Sequence, residues 1–411
     1  MLEVKSKRLG DIINFKRGYD LPASKRENGQ FPIISSSGIS GYHNEFKCSG
    51  EGLVTGRYGT LGEMYYINGN YWPHNTTLYA TDFKGNFPKY LYYLLKSLGN
   101  LKTSDKSAVP GINRNDLHEI KIPFLPKEYQ IQIAKVLSDL DAKIELNNKI
   151  NAELEAMAKL IYDYWFVQFD FPIDKATAEK MGNPSLERKP YKTSGGKMVY
   201  NKELKREIPE GWEVVALKKV LDCNKNTLKK NNGYKVLRYL DTSNLTKNVI
   251  NELKELVPNV DKIPSRAQRI VGENDILYST VRPNQCHYGL IKQPVSNLIA
   301  STGYAQLSSK DKLITNDLIY SFLTTKWVTE QLQRIANLAV TSYPSISPND
   351  ILALRIVLPK DREKLSHINQ TLTSFNKKIS GNNVENQKLS ELRDWLLPML
   401  MNGQVRVGEE N

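Results

Sequence analysis

The chain carries one pattern twice, and this internal repeat limits its possible folds more than any other feature of the sequence. The segments SAVPGINRNDLHEIKIPFLP (107–126) and TSYPSISPNDILALRIVLP (341–359) match at an offset of 234 positions. The match continues into the next segments, 133–154 and 368–389, at an offset of 235 positions. Repeats that build solenoids are far shorter, roughly 20–50 residues. The long period therefore predicts a duplicated unit, in which a globular domain is followed by a long helix.

Apolar residues recur at alternating steps of four and three along both repeated helical segments. The first segment, 128–166, contains neither proline nor glycine, and the second segment covers 362–398. A spacing of about 3.5 residues over about four heptads is typical of a coiled-coil seam. At about 1.5 Å per residue, each helix would be roughly 55 to 60 Å long. Gly381 interrupts the second seam, and we expect Pro398 to end or kink that helix.

Both seams carry asparagine at two equivalent positions, near the middle of each helix. These are Asn147 and Asn151 in the first seam, and Asn382 and Asn386 in the second. A buried asparagine destabilises a coiled coil but fixes its register and orientation. In an antiparallel pair we therefore expect Asn147 near Asn386 and Asn151 near Asn382.

The same register places Leu140 opposite Arg393, and we expect this to be the weakest layer of the pair. Many coiled coils only join two copies of a chain, and that alternative applies to these helices as well. The duplication favours pairing within one chain, because each of the two similar helices follows its own globular domain.

We predict an α+β fold in which two globular domains are joined by two long antiparallel coiled-coil helices, with a pseudo-two-fold internal duplication. Short β-rich runs separated by Gly, Asn and Pro indicate strands in both domains. A polar, lysine-rich stretch between the halves is interpreted as a linker. The predicted boundaries are 1–126 for the first domain, 127–170 for the central helix, 171–210 for the linker, 211–360 for the second domain, 361–402 for the C-terminal helix and 403–411 for the tail.

The net charge of +13 indicates a polyanionic partner, and nucleic acid is the usual one. The alternative is that the excess lysine only keeps the protein soluble. The three cysteines form no CxxC pair, which argues against a disulfide framework and against a zinc site. No stretch approaches the roughly 18 apolar residues of a membrane span, and the N-terminus lacks the apolar core of a signal peptide. We therefore expect no membrane association and a location in the cytoplasm.

Motifs that would support catalysis are missing from the sequence. We find no N/D-P-P-Y/F motif, no methyltransferase glycine loop and no GxxxxGK[S/T] phosphate loop. HNE at 43–45 matches the H-x-E of zinc deaminases, but the PCxxC that such a site needs is missing. We therefore expect no catalytic residue, no metal site and no cofactor bound by this chain.

Candidate DNA contacts are polar side chains on loops at corresponding places in the two halves. Arg, Asn and Gln suit base edges, whereas Lys, Arg, Ser, Thr and Tyr also suit phosphates. The candidates are Arg57, Tyr58, Asn75, Thr76, Lys106 and Arg114 in the first domain, and Arg282, Asn284, Gln285, Ser342 and Tyr343 in the second. Lys106 and Arg114 are expected to contact phosphates, so replacing Lys106 with alanine is expected to weaken binding to all sequences alike.

Further motifs lie at the ends of the helices and at the starts of the domains. They are YDYWFVQFDFP (162–172), KPYKTSGGKMVYNKELKREIPEGWEV (189–214) and LRDWLLPMLMNGQVRV (392–407), together with the openings RLGDII and IPEGWEVVALKKV. All of them resemble the specificity subunits of type I restriction-modification systems, and the two openings resemble the starts of that family's two target recognition domains. The resemblance extends over essentially the whole chain, with the motifs in the family's order.

The resemblance implies a division of labour between subunits. Each target recognition domain would read one half of a bipartite double-stranded DNA target, and the helical pair would set the number of unread base pairs between the halves. Two modification (methyltransferase) subunits would dock on the helices and the central region, and two restriction (motor-nuclease) subunits would join that core. S-adenosylmethionine, ATP and magnesium would belong to these partners.

Two other functions compete with this interpretation. A self-contained DNA nuclease or methyltransferase with a two-domain reader is the main alternative, and the missing cofactor loops disfavour it. A protein-binding coiled-coil scaffold with no DNA role is the second, and the positive charge and duplicated polar loops disfavour it. Because the loops of the two halves differ, we expect an asymmetric DNA target.

Overall fold

The structure, a computed structural model, describes residues 5–57, 63–99, 113–229, 233–338 and 344–408. Four of the residues predicted to contact DNA lie outside these ranges, namely Tyr58, Lys106, Ser342 and Tyr343. By its internal contacts the chain divides into two compact units, Met1–Glu145 with Asn386–Asn411 and Leu146–Glu385. The boundary passes through both long helices, so each helix contributes residues to both units.

The first unit is built around a four-stranded antiparallel sheet. Its described strands are β1 Lys5–Arg8, β2 Asn14–Arg17, β3 Phe31–Ser35, β4 Gly38–His43, β5 Glu51–Gly56, β6 Met64–Asn68, β7 Trp72–Pro73, β8 Thr77–Asp82 and β9 Lys121–Phe124. The helices that begin in this unit are α1 Pro88–Ser97, α2 Arg114–Glu119 and α3 Lys127–Tyr162. The main sheet has the order β2-β8-β5-β6, a second sheet has the order β4-β3-β7, and β1 pairs with β9.

The second unit contains two four-stranded sheets. Its described strands are β10 Met198–Asn201, β11 Arg206–Pro209, β12 Trp212–Ala216, β13 Leu221–Cys223, β14 Leu237–Leu240, β15 Leu245–Thr246, β16 Val249–Ile250, β17 Lys254–Leu256, β18 Ala267–Ile270, β19 Asp275–Ser279, β20 Tyr288–Ile291, β21 Leu298–Ser301, β22 Tyr304–Ser309 and β23 Arg355–Pro359. The remaining helices of the chain are α4 Lys175–Lys180, α5 Leu217–Val220, α6 Asn316–Leu323, α7 Lys326–Leu338, α8 Pro348–Ala353 and α9 Ser366–Met401. The sheets have the orders β13-β22-β19-β20 and β17-β14-β21-β18.

The strand orders of the two units confirm the internal duplication. The sheet β2-β8-β5-β6 corresponds to β13-β22-β19-β20, and the antiparallel pair β1-β9 corresponds to β12-β23. Each unit also contains one parallel pair, β3 with β7 in the first and β14 with β21 in the second. The second unit adds β18 at the edge of β21, and the described part of the first unit has no strand in the corresponding place. The duplicated domains therefore share a framework but differ at this edge.

In the first unit, the start of α3 and the end of α9 run antiparallel and close the hydrophobic core. Leu137 of α3 and Leu400 of α9 are buried in the same cluster as the α1 residues Leu91 and Leu94. Arg393 donates a hydrogen bond from Nη1 to Asp141 Oδ1 at 2.8 Å. The layer expected to be weakest is thus stabilised by an ion pair, because the residue after Leu140 supplies a carboxylate.

In the second unit, the end of α3 and the start of α9 are joined by asparagine contacts. Asn382 Nδ2 donates to Asn151 Oδ1 at 2.8 Å, and Asn151 Nδ2 donates to Asn383 Oδ1 at 2.8 Å. Asn147 Nδ2 donates to Glu385 Oε2 at 2.8 Å. The Asn151–Asn382 contact is the one that the antiparallel register requires, whereas the contact between Asn147 and Asn386 stays a prediction.

Replacing Asn382 with leucine tests how much this buried amide pair contributes to the free energy of unfolding. We expect Asn382→Leu to lower the free energy of unfolding by about 1–3 kcal/mol, because the Asn151 carbonyl then stays buried without its donor. The double replacement Asn151→Leu with Asn382→Leu should recover most of this loss, since both polar groups are gone. Urea denaturation of the purified chain measures the free energy of unfolding of both variants. A double variant that is less stable than Asn382→Leu would contradict the pairing of Asn151 with Asn382.

Helix α9 continues through Gly381 and Pro398 and ends at Met401. The helix therefore does not end at Pro398. A proline inside a helix removes one backbone hydrogen bond and costs about 3 kcal/mol. Leu397, Leu400 and Met401 are buried in the core of the first unit, and their burial offsets this cost.

The segment 171–210 is folded, which corrects its interpretation as a linker. It contains α4 and the hairpin β10-β11, and it belongs to the second unit. The Phe171 ring stacks on Tyr191 at 4.7 Å and on Trp212 at 4.9 Å between ring centroids. The few apolar residues of this polar stretch are spaced so that they are buried together, and composition alone does not reveal such spacing.

Candidate nucleic-acid interface

In the first unit, the end of β5 and the start of β8 bring three of the predicted DNA contacts together. Arg57 directly follows β5, and its backbone N–H donates to the Thr76 carbonyl at 2.8 Å. Thr76 directly precedes β8 and accepts a hydrogen bond at Oγ1 from the Ser36 N–H at 3.3 Å. Asn75 is the neighbour of Thr76 on the same loop. The antiparallel pairing of β5 with β8 therefore creates the cluster, and we name Arg57, Asn75 and Thr76 the first loop cluster.

Two charged residues that sequence reasoning missed adjoin the first loop cluster. The Asn75 amide donates to the Asp20 carboxylate. Arg17, at the end of β2, lies with Nη2 at 3.6 Å from Asp20 Oδ1, and both side chains are more than half exposed. Asp20 thus orients the Asn75 amide and holds the Arg17 guanidinium beside it. The pairing of β2 with β8 creates this arrangement, and the sequence around Arg17 carries no signal of it.

His74 adds a neutral polar group to the first loop cluster. Its Nδ1 lies 3.2 Å from Thr76 Oγ1, so one of the two atoms donates a hydrogen bond to the other. Burial lowers the pKa of the His74 imidazole, and the nearby positive charge of Arg26 lowers it further. Both effects favour the neutral form of the imidazole.

Arg114 is not brought together with the first loop cluster. It is the first residue of α2, and its exposed guanidinium donates from Nη2 to Asn115 Oδ1 at 3.2 Å. The same helix carries His118, whose Nε2 accepts from the Phe15 N–H at 3.1 Å near the start of β2. The first loop cluster lies at the opposite end of β2, so a phosphate contact by Arg114 stays a prediction for a separate part of the surface.

In the second unit, Arg282, Asn284 and Gln285 lie on a strained turn after β19. The Arg282 N–H donates to the Pro344 carbonyl at 3.0 Å. Arg282 and Cys286 flank the turn with φ angles of 47° and 56°. Non-glycine residues pay about 1–2 kcal/mol for this left-handed conformation, and such strain is concentrated at functional sites.

The strained turn holds two of the predicted side chains in solvent. The Asn284 N–H donates to Gln333 Oε1 of α7 at 3.1 Å, which fixes the backbone of the turn. The side chains of Asn284 and Gln285 are both exposed. Amide side chains in this position can donate and accept hydrogen bonds at base edges.

The sheet register identifies a different pair as the equivalent of Arg57 and Thr76. The Thr280 N–H donates to the Gly303 carbonyl at 2.8 Å. Thr280 directly follows β19 and Gly303 directly precedes β22, just as Arg57 follows β5 and Thr76 precedes β8. Arg282 therefore belongs to the loop that was expected, but it lies two residues beyond the position of Arg57. The two units present different side chains at the same place in the same framework.

Two other kinds of site are absent from the described ranges. No group of three or more His, Cys, Asp or Glu side chains there is arranged to hold a metal ion. None of the described helices is both long and apolar enough to cross a membrane.

The known proteins that resemble this chain are specificity subunits of type I restriction enzymes. The family model described as "Type I restriction modification DNA specificity domain" matches residues 1–156. The MjaIX specificity subunit of Methanocaldococcus jannaschii is 25% identical over 338 residues, which cover 79% of this chain and 71% of the relative. The HindI specificity subunit of Haemophilus influenzae is 23% identical over 363 residues and covers 77% of each chain.

A solved structure agrees with the fold over almost the whole length. The S subunit of a type I restriction-modification system from M. genitalium has a TM-score of 0.63 and 17% sequence identity, and the match covers 97% of this chain and 96% of that one. The relatives, the family model and this shared fold support the resemblance carried by the sequence motifs. Over most of its length the chain is similar to the specificity subunits of type I restriction-modification systems.

Proposed function

We propose that this chain is a non-catalytic DNA-reading subunit whose two target recognition domains each bind one half of a bipartite, asymmetric double-stranded target. The observation that carries the proposal is the duplicated sheet framework with different polar side chains at the equivalent junctions. Arg57 and Thr76 occupy this junction in the first unit, and Thr280 and Gly303 occupy it in the second. A common framework suits the common DNA backbone, and different side chains suit different base sequences.

The two long helices are proposed to set the spacer and to dock the partner subunits. Helices α3 and α9 each span 36 residues, which corresponds to about 54 Å at 1.5 Å per residue. Leu160 of α3 and Trp395 of α9 are 68% and 57% exposed. Large apolar side chains on a helix surface are typical of protein interaction sites. We propose that two modification subunits bind these helices and that two restriction subunits join the resulting complex.

The chemistry is proposed to belong to these partners. S-adenosylmethionine would be bound by the modification subunits, and ATP and magnesium by the restriction subunits, in the cytoplasm. The alternative, a self-contained nuclease or methyltransferase, predicts that the purified chain alone modifies or cleaves DNA. Incubation with DNA, magnesium and S-adenosylmethionine tests it, and methylated or cleaved product without a partner subunit would favour the alternative.

Arg57 is the most informative single residue of the first recognition domain. If its guanidinium binds guanine at both N7 and O6, Arg57→Ala should weaken binding of the specific target by about 1–3 kcal/mol. Fluorescence anisotropy with the purified methyltransferase complex measures this change on target and non-target duplexes. A variant that binds the target as tightly as the wild type would rule out this contact.

The proposed function itself is tested by co-expressing the chain with the modification subunit of its own system. We expect a purified complex of one chain with two modification subunits, measured by native mass spectrometry. Methylation mapping of genomic DNA from these cells should then give one split, asymmetric motif. A chain that stays alone, or a methylated motif without a gap, would contradict the proposal.

A further inference from the structure

Strand β18 places an arginine at the equivalent junction of the second unit. Arg266 directly precedes β18, and its carbonyl accepts a hydrogen bond from the Thr302 N–H at 2.8 Å. A Cβ atom built on Gly303 would lie 3.4 Å from Arg266 Nη2. The guanidinium therefore lies over the turn between β21 and β22, next to the residue that corresponds to Thr76. The first unit has no described counterpart of β18, so this feature distinguishes the second domain.

The Arg266 guanidinium is available to a ligand. The side chain is exposed, and among the described residues it has no hydrogen bond or ion pair. The Asp241 carboxylate accepts hydrogen bonds from the Thr242 N–H at 2.8 Å and from the Tyr239 hydroxyl at 3.2 Å. Burial raises the pKa of the Tyr239 hydroxyl, and the positive charge of Arg266 opposes this shift. The positive charge of Arg266 thus acts on Tyr239, but no carboxylate among the described residues forms an ion pair with it.

Two threonines and a glycine complete the site. Thr280 Oγ1 donates to the Gly303 carbonyl at 2.9 Å. A Cβ atom on Gly303 would lie only 2.6 Å from Thr242 Oγ1, so only glycine allows Thr242 to approach the turn this closely. We name Thr242, Arg266, Thr280 and Gly303 the Arg266 cluster. It combines a forked cation with two hydroxyl groups on a backbone fixed by strand pairing.

We propose that the Arg266 cluster reads bases in the second half of the DNA target, with the Arg266 guanidinium bound to a guanine. This inference rests on the proposed function. Guanine presents two acceptors, N7 and O6, in the major groove, and the arginine fork matches them both. The Thr242 hydroxyl can donate to or accept from a neighbouring base, whereas the Thr280 hydroxyl, which already donates to the Gly303 carbonyl, can accept from one. The cluster therefore adds a specificity determinant that the sequence-based candidates Arg282, Asn284 and Gln285 do not include.

The test uses the purified methyltransferase complex and duplexes in which each base pair of the split motif is changed in turn. We expect Arg266→Ala to weaken binding of the cognate duplex about 5- to 150-fold. The loss should disappear for duplexes that already lack one particular guanine of the second half-site. Arg266→Lys keeps the charge but not the fork, and it should show the same loss of discrimination at that position.

Arg238 provides the matched control. It is an arginine of the same sheet, on β14 opposite Leu298, whereas Arg266 lies next to the other end of β21. Arg238→Ala should leave the base preferences at both half-sites unchanged. If Arg266→Ala binds as the wild type does, or weakens all duplexes equally, the proposed base contact is wrong while the split motif of the wild type still supports the proposed function. If the wild-type complex has no split motif, the proposed function itself fails.

Discussion

Asp317→Ala is expected to lower the free energy of unfolding by about 3–5 kcal/mol. Asp317 of α6 and Lys292 form an ion pair with Nζ at 2.7 Å from Oδ2, and their side chains are only 5% and 8% exposed. Removing one partner of a buried pair leaves the other charge in a medium that solvates it poorly. Here the remaining ammonium group of Lys292 would keep only the Asn274 Oδ1 contact at 2.8 Å.

The carboxylate of Asp317 also fixes helix α9 within the second unit. Asn376 Nδ2 donates to Asp317 Oδ1 at 2.9 Å, and Thr373 Oγ1 donates to Asp317 Oδ2 at 3.0 Å. Both donors lie on α9, so their loss should loosen the helix as well as the ion pair. We expect hydrogen exchange of the α9 amides near these residues to become faster in Asp317→Ala, beyond the change in global stability.

Urea denaturation of the purified chain measures the change in stability. The exposed pair Lys326–Glu330, with Nζ and Oε1 3.8 Å apart, is the control. Glu330→Ala should change the free energy of unfolding by less than about 1 kcal/mol, since exposed ion pairs contribute little. The double replacement Lys292→Met with Asp317→Leu should be more stable than Asp317→Ala, because no unpaired charge remains. A loss for Asp317→Ala no larger than that for Glu330→Ala would show that the buried pair does not hold α9.

The repeat in the sequence predicted the parts of the fold that depend on periodicity. The offset of 234 positions between the halves relates β9 to β23, and the asparagines placed α3 and α9 in the register observed at Asn151 and Asn382. The ion pair between Asp141 and Arg393 was not predicted, because Asp141 lies beside the seam and the apolar repeat describes only the seam positions. A residue beside the seam can supply the partner that the seam lacks.

The candidate site was predicted less completely, because it depends on contacts between distant strands. The first loop cluster was found, since Arg57 and Thr76 lie on polar loops next to apolar runs. In the second unit, Arg266 and Thr280 were missed because two pairings, β18 with β21 and β19 with β22, bring them to the same turn, and no local pattern indicates these pairings. The segment 171–210 was interpreted as a linker because it is polar, and composition alone does not show that Phe171, Tyr191 and Trp212 pack together.

Trp212 tests whether that segment is an integral part of the second unit. It is 7% exposed, and its ring contacts Phe171 at 4.9 Å, Phe166 at 5.7 Å and Phe169 at 5.7 Å between centroids. Trp212→Ala removes a large buried ring and leaves a cavity among the others, so we expect the free energy of unfolding to fall by about 3–5 kcal/mol. Limited proteolysis should then cut within 171–210, where we expect the wild type to resist cleavage.

Trp395→Ala is the control, because that ring is 57% exposed and its removal leaves no cavity. Its effect on the stability of the isolated chain should stay within about 0.5 kcal/mol. If both tryptophan variants lose equally little stability and the protease pattern of Trp212→Ala is unchanged, the aromatic cluster does not anchor the segment, and its original interpretation as a linker is restored. If only Trp212→Ala is destabilised, the segment is part of the folded core of the second unit.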